Sequence, residues 1–392
     1  MVRIIAMINR IDPSVKTYCQ FYYEEGNKQL TSEVFEYLMI WKQQWMMFDE
    51  NGYLPYLISC KNPITDIPTS VSLVERKCDE PTNNLKVIFN QPENELRKPF
   101  AVCAKHLIFD EDITTRLIEW IEIVSILGAT KIYFYVVRVH PNIMKALKYY
   151  ESKGIVEIEF IVDLELSNDR SKEKYHKILS QMVAVNDCFL KHMHEYEIIS
   201  IFDTDELIMP TIDETWKDLL ARNSYNDDLP PALTFTNLYF FIGDNSADET
   251  KLEIPEDFFF LRHIYRAQNH SRKGLAMKAF FNPQKVLVIC NHFPLVCIKK
   301  GVSSRKDCKV EFISTEFGRL QHYRSKVHLG CNKEYTKEEC EDFENNQIKD
   351  LTLWKYKNEI VENVSNVKKI IGMRSVKSIK STFTIHAFED FI

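Results

Sequence analysis

The sequence predicts an α/β fold: an open, mostly parallel sheet flanked by helices, preceded by a smaller β-rich region. Three observations carry that expectation. From Phe100 onward, apolar, β-branched and aromatic runs alternate with helical patterns in the order β-α-β-α-β-α-β. Residues 1–95 instead read as strands parted by turn signals. The last strand of the alternation runs straight into an acidic cluster, at the strand end where ligands of such sheets collect.

In the N-terminal region, VRIIAMI, KTYCQFYY, YLPYLISC and TSVSLVE have strand character. Ile11-Asp12-Pro13, Gly26-Asn27, Asn51-Gly52 and Lys61-Asn62-Pro63 punctuate them. The polar residues 81–84 and 91–99 form the linker. A larger α/β domain over 96–330 follows, then a polar, helical extension over 331–392. FAVCAKHLI is its first strand. TTRLIEWIEIVSILG is a helix, with Leu117, Ile121, Val124 and Leu127 at helical spacing and Gly128 as the stop. KIYFYVV reads as a buried parallel strand, and PNIMKALKYYESKG as a helix opened by Pro141 and closed by Gly154. IVEIEFIVDL, the helix KYHKILSQMVAVNDCFLKHMHE and the strand YEIISIF complete the alternation.

Composition excludes several function classes. There are only ten glycines in 392 residues, and no two lie closer than twelve positions. A GxGxxG dinucleotide loop, a P-loop and a GxSxG nucleophile elbow each need two glycines within a few residues, so all three are absent. Fifty basic against 56 acidic residues give a net charge of −6, which argues against a nucleic-acid partner. The ten cysteines form no CxxC, so they carry no zinc spacing; either a few disulfides or buried thiols fit their scatter. No run of 18 apolar residues and no signal-peptide pattern occurs.

The chemistry therefore rests on Asp203-Thr204-Asp205-Glu206, which follows YEIISIF and precedes Leu207-Ile208-Met209-Pro210. A turn at a strand end lets two carboxylates converge on one ion. Oxygen ligands favour Mg2+ or Mn2+, and such an ion holds a diphosphate without a glycine cradle. A bare DxD is weak on its own, because surface turns carry many chance copies. Its position after a buried strand and between two apolar runs strengthens it.

At this point the sequence resembles glycosyltransferase family 92, insect-type members in particular. The resemblance rests on CAKHLIFDEDITTRLIEWIEIVSILGATKIYFYVV, VHPNIMKALKYYESKGIVEIEF, QMVAVNDCFLKHMHEYEIISIFDTDELIMP, KAFFNPQKVLVICNHF and LQHYR, spread over residues 100–325. It implies a GT-A fold, a Rossmann-like nucleotide-sugar sheet with a metal-binding DxD. It implies a hexosyltransferase that moves galactose from UDP-galactose to a glycan acceptor, N-glycan or glycolipid, with inversion. It also implies a place in the Golgi or secretory-pathway lumen, through a type II membrane anchor that this chain does not display. Disulfides in an oxidising lumen follow, with Cys103 and Cys188 expected to stay buried and free.

Roles follow residue by residue. Asp203 and Asp205 match the DxD and are the metal ligands, with Asp203 also a candidate for the donor ribose. His292, in CNHF, is the candidate third ligand, since neutral imidazole suits Mn2+. Lys278, Arg324 of the HYR block, and Arg272 and Lys273 of the basic stretch 262–273 are candidates for the diphosphate. Asn186 and Asp187 either touch the nucleotide or pack locally. An inverting transfer needs a carboxylate to take the acceptor's proton. Asp257, set before Phe258-Phe259-Phe260, is that candidate. Two other readings compete: a non-catalytic glycan- or partner-binding module on the same fold, and a metal-dependent phosphate hydrolase, which lacks the extra carboxylate and histidine clusters of a two-metal site.

Overall fold

The computed structural model describes residues 1–9, 16–24, 29–41, 53–92, 94, 96–161, 170–225, 228–242, 253–299, 301–305, 308–325 and 335–373. Two compact units emerge. The first gathers Met1–Leu96, Asp163–Glu195 and Val288–Cys290; the second gathers Arg97–Val162, Tyr196–Leu287 and Asn291–Ile392.

The first unit is built on a six-stranded sheet. Its strands are β1 (Val2–Ile8), β2 (Tyr18–Tyr22), β3 (Gln29–Met39), β4 (Leu54–Cys60), β5 (Ser70–Val74) and β6 (Leu85–Lys86), in the order β1-β4-β3-β2-β5-β6. Every pairing is antiparallel. β3 is exposed or half-buried over most of its length, with Val34 buried and a bulge between Val34 and Glu36 in its pairing with β4. Phe21, Ile58 and the Cys19–Cys60 disulfide lie fully buried in its core. The helix Arg170–His192 and the short piece 288–290 belong to this unit although they are remote in sequence. Asn186 joins them. Its amide donates to the carbonyl of Ile289 at 2.9 Å and accepts from the Ile289 N–H at 3.0 Å.

The second unit carries β7 (Lys98–Phe109), α1 (Thr114–Leu127), β8 (Lys131–Val139), α2 (Pro141–Ser152), β9 (Val156–Phe160), β10 (Tyr196–Phe202) and β11 (Glu206–Pro210); the Arg170–His192 helix is α3 in chain order. Then come α4 (Trp216–Arg222), β12 (Ala232–Phe235), β13 (Asn237–Ile242), β14 (Tyr265–Ala267) and β15 (Lys278–Phe281). β16 (Val286–Ile289) spans the point where the chain passes between units, and β17 (Pro294–Lys299) pairs with β18 (Val302–Ser304). β19 (Val310–Phe312), β20 (Gly318–Ser325), α5 (Lys337–Asn345), β21 (Gln347–Lys349) and α6 (Lys357–Ile370) close the list.

Two sheets organise this unit. The larger has the order β19-β12-β15-β10-β7-β8-β9, the smaller β11-β20-β13-β14-β21. Within the larger sheet β10, β7, β8 and β9 pair in parallel, as the alternation predicts, and so do β12 and β19. β15 runs antiparallel to both β10 and β12, so one reversed strand sits among six that run the same way. Helical crossovers link β7 to β8 through α1 and β8 to β9 through α2, as parallel neighbours require.

α1 buries Leu117, Ile118, Trp120, Ile121, Val124 and Leu127 against the larger sheet's core. At roughly 1.5–3 kcal/mol for each large apolar side chain, that stripe is the chief reason the helix forms where it does. Gly128 ends it with φ +125°, a conformation that side chains with a Cβ rarely adopt. The polar, helical extension expected over 331–392 contains the helices α5 and α6, and Ile360, Val364 and Val367 of α6 enter the same core as α1. The cysteine expectation also changes: Cys103 and Cys188 are both disulfide-bonded, and Cys297 pairs with Cys308. Cys78 keeps an exposed free thiol. Among the described residues, no helix is long and apolar enough to cross a membrane.

Candidate active site

β10 belongs to one sheet and β11 to the other, so the acidic turn 203–206 is the hinge of chain between them. Two bonds shape that turn. The Glu206 N–H donates to the Asp203 carbonyl at 3.1 Å, and the Asp203 N–H donates to the Glu206 carboxylate at 3.0 Å. The neighbours of β10 each bring an ammonium to its end. β7 lies parallel to β10 with Ala104 beside Phe202, so the next residue, Lys105, falls beside Asp203 and pairs with it at 2.8 Å. From the other side, Lys278 opens β15 and reaches Asp203 at 3.1 Å and Glu206 at 3.0 Å. Lys278 and Glu206 are fully buried. Each would be costly alone, and each is compensated by the other.

The smaller sheet supplies an imidazole. β20 runs antiparallel to β11 with His322 opposite Glu206, and parallel to β13 with His322 opposite Tyr239. The His322 ring lies 5.5 Å from the Tyr239 ring, centroid to centroid. Its Nε2 accepts from the Arg324 Nε–H at 2.8 Å, which places the proton on Nδ1, 3.7 Å from Glu206. The same Nε2 lies 3.9 Å from Asp205. Arg116, in the first turn of α1, also approaches Asp205 at 3.9 Å. The side chains of Asp203 and Asp205 keep 22% and 19% exposure, so the turn retains a face toward solvent despite the cations behind it.

The residues singled out by sequence fall into two groups. Asp203, Asp205, Lys278 and Arg324 converge here. His292 is tied in indirectly: its Nδ1–H donates to the Met277 carbonyl at 2.6 Å, and Nε2 faces the Asn291 amide at 3.1 Å. Asn291 in turn accepts from Lys278. Both ring nitrogens of His292 thus serve the support of Lys278, and the imidazole recorded beside Asp205 is that of His322. The remaining candidates have other partners. Asp257 accepts from Lys368 and from the Thr115 hydroxyl. Arg272 pairs with Glu339 at 2.7 Å, and Lys273 lies over the Phe312 ring. Asn186 and Asp187 belong to the first unit, where Asn186 clamps Ile289 and Asp187 pairs with Lys191 at 2.6 Å.

Lys105, Arg116 and Glu119 had not been singled out. Each left the same faint signal, a charged residue inside an otherwise apolar strand or helix face. Glu119 is fully buried in α1 and accepts three backbone N–H bonds, from Phe259 at 2.6 Å, Phe260 at 3.0 Å and Leu261 at 2.9 Å. Burial pushes its carboxyl up to about 7 against the opposing pull of those three donors.

An ion fits this donor set in one particular way. Among the described residues, no group of three or more His, Cys, Asp or Glu side chains is arranged to hold a metal. Mg2+ and similar hard cations do not need such a cage when a substrate brings phosphate oxygens; one or two carboxylates then suffice. Asp205, partly exposed and beside His322, meets that lesser requirement. Asp203, already held by two lysines, is less available.

Residues 98–364 match the profile of glycosyltransferase family 92, and the chain belongs to that family. Beta-1,4-galactosyltransferase galt-1 of Caenorhabditis elegans is 25% identical over 193 residues, covering 48% of this chain and 43% of that protein. Glycosyltransferase family 92 protein F13G3.3 of the same organism is 22% identical over 208 residues, covering 52% of this chain and 39% of that protein. The chain therefore spans less than half the length of these relatives. Among solved structures, S. aureus TarS 1-349 is similar with a TM-score of 0.30 and 11% identity, over 69% of this chain and 71% of that one.

Proposed function

We propose that this chain is a metal-dependent transferase of the GT-A type that moves a hexose from a UDP-sugar to a glycan acceptor with inversion. The observation that carries the proposal is the acidic turn between two sheets, backed by Lys105, Lys278 and His322 and open to solvent on one side. Galactose is the favoured sugar, since a relative that carries the name of a galactosyltransferase matches half of the chain. The buried disulfides favour an oxidising compartment, which supports a secretory-pathway lumen such as the Golgi.

Mn2+ or Mg2+ would be held by Asp205 together with the donor's phosphates, with Asp203 as the neighbouring carboxylate. Bound there, it supplies charge compensation for the departing diphosphate. The chain's own residues do the rest. Lys105 and Lys278 hold the Asp203 carboxylate in place and offset its charge, which keeps the turn from repelling an anionic donor. Arg324 takes the His322 Nε2 lone pair and so fixes the ring and its tautomer beside Asp205. Trp120 donates to the Glu206 carbonyl at 2.9 Å and ties the turn to α1.

Titration calorimetry of UDP with and without Mn2+ tests this reading. The expected result is Mn2+-dependent UDP binding that Asp205→Ala abolishes. Metal-independent binding unchanged by that substitution would remove the metal from the proposal. A screen of UDP-sugars with Mn2+ then identifies the donor.

A further inference from the structure

Arg116 is set unlike the two lysines of the acidic turn. Lys105 and Lys278 are spent on carboxylates at 2.8–3.1 Å. The Arg116 guanidinium instead stands 3.9 Å from Asp205, too far for a hydrogen bond, and its Nε–H is buried without a hydrogen-bond partner. A buried donor left unspent costs free energy, unless a ligand takes it. The side chain is nevertheless held firmly. Its guanidinium carbon lies over the Phe259 ring, 4.2 Å from the ring centre. Phe259 is itself fixed, because Glu119, one turn along α1, takes the N–H groups of residues 259–261. Asp257, bound to Lys368 and to Thr115 next to Arg116, fastens the other end of that segment.

The result is a positioned guanidinium with a buried Nε–H that no protein group accepts, beside the partly exposed Asp205, at the start of the first helix after a parallel strand. Planar guanidinium forks match phosphate oxygens. We propose that Arg116 binds a phosphate oxygen of the donor's diphosphate, and that Phe259 is its positioning residue. This inference rests on the nucleotide-sugar reading above.

The test compares UDP and uridine binding, each with Mn2+, by titration calorimetry on the full chain. Arg116→Met is expected to weaken UDP binding about 10–100-fold, as for loss of a charged hydrogen bond, while uridine binding stays within about twofold. Arg116→Lys, which keeps the charge but loses the planar fork, is expected to fall between. Phe259→Leu keeps the guanidinium and removes its platform; a loss of about 2–10-fold for UDP alone is expected. Thermal melts of each variant report whether the fold survives. Unchanged UDP affinity in Arg116→Met, or equal losses for UDP and uridine across the three variants, overturns the proposal alone. Wild-type protein that takes up neither UDP nor uridine overturns the nucleotide-sugar reading and this proposal with it.

Discussion

Two buried ionic clusters in the second unit use the same chemistry for different ends. At the acidic turn, Lys105 and Lys278 meet Asp203 and Glu206. Elsewhere in the unit, Arg266 and Arg319 close on Asp350 at 2.6 Å and 2.5 Å, and Arg319 also donates to Thr352 at 2.9 Å. The second cluster is sealed: Asp350 is 6% exposed, and its acceptors are used inside the protein. At the turn, the aspartates remain about one-fifth exposed, and their cations stand behind them. Ion pairing alone therefore does not mark a site. The exposure of the paired carboxylates is what separates the two clusters.

The comparison can be broken by substitution. The largest expected effect is Asp205→Asn, with a loss of about 10²–10³-fold in kcat/KM for sugar transfer and little change in melting temperature. A radiolabelled or coupled transfer assay beside a thermal melt reads both. Arg319→Met should do the reverse. Leaving Asp350 short of one cation in a sealed setting costs about 3–5 kcal/mol of unfolding free energy in denaturant titrations, with UDP affinity retained.

Glu119 sharpens the contrast, because it is sealed with no cation bonded to it. Burial raises its folded-state pKa from 4.5 to about 7. The folded chain thus holds this proton more tightly than the unfolded chain does. Its stabilising contribution is complete below the unfolded value and is lost as pH rises through about 7. Relative to Glu119→Gln, the wild type should therefore lose on the order of 3 kcal/mol between pH 4.5 and pH 8 in matched denaturant titrations. Asp350 has the opposite sign. Burial raises its pKa, but Arg319 and the bonds from Thr352 and Arg266 outweigh that and hold it below 3.8. Its contribution is present at neutral pH and fades only in acid. The smallest effect belongs to the exposed pair Lys148–Glu151 on α2, where Lys148→Ala should change unfolding free energy by no more than about 0.5 kcal/mol.

The run from β7 to β10 was legible because its signals are local: helical spacing in α1, Pro141 and Gly154 bracketing α2, and apolar strands between them. The acidic turn was legible because two aspartates ended such a strand. The smaller sheet was not, since it joins strands as distant as Glu206–Pro210 and Gly318–Ser325, and no local pattern encodes that register. His322 becomes a neighbour of Asp205 only through that register. For the same reason the sequence points to His292, which follows the apolar run 286–290, whereas His322, preceded by Arg319-Leu320-Gln321, carries no such local signal. Glu119 lay within the apolar spacing of α1, and its purpose depends on a turn 140 residues away.

The Asn186–Ile289 clamp carries a consequence for biosynthesis. The first unit is assembled from pieces that leave the ribosome far apart in time. Translation at about 5–20 residues per second separates residue 96 from residue 290 by roughly 10–40 s. During that interval the β1–β6 sheet is an unfinished client, with the α3 side chain of Asn186 awaiting a strand not yet made. The Cys19–Cys60 bridge involves only the first 60 residues, so it is available to hold the early sheet together while the nascent chain waits for its last component.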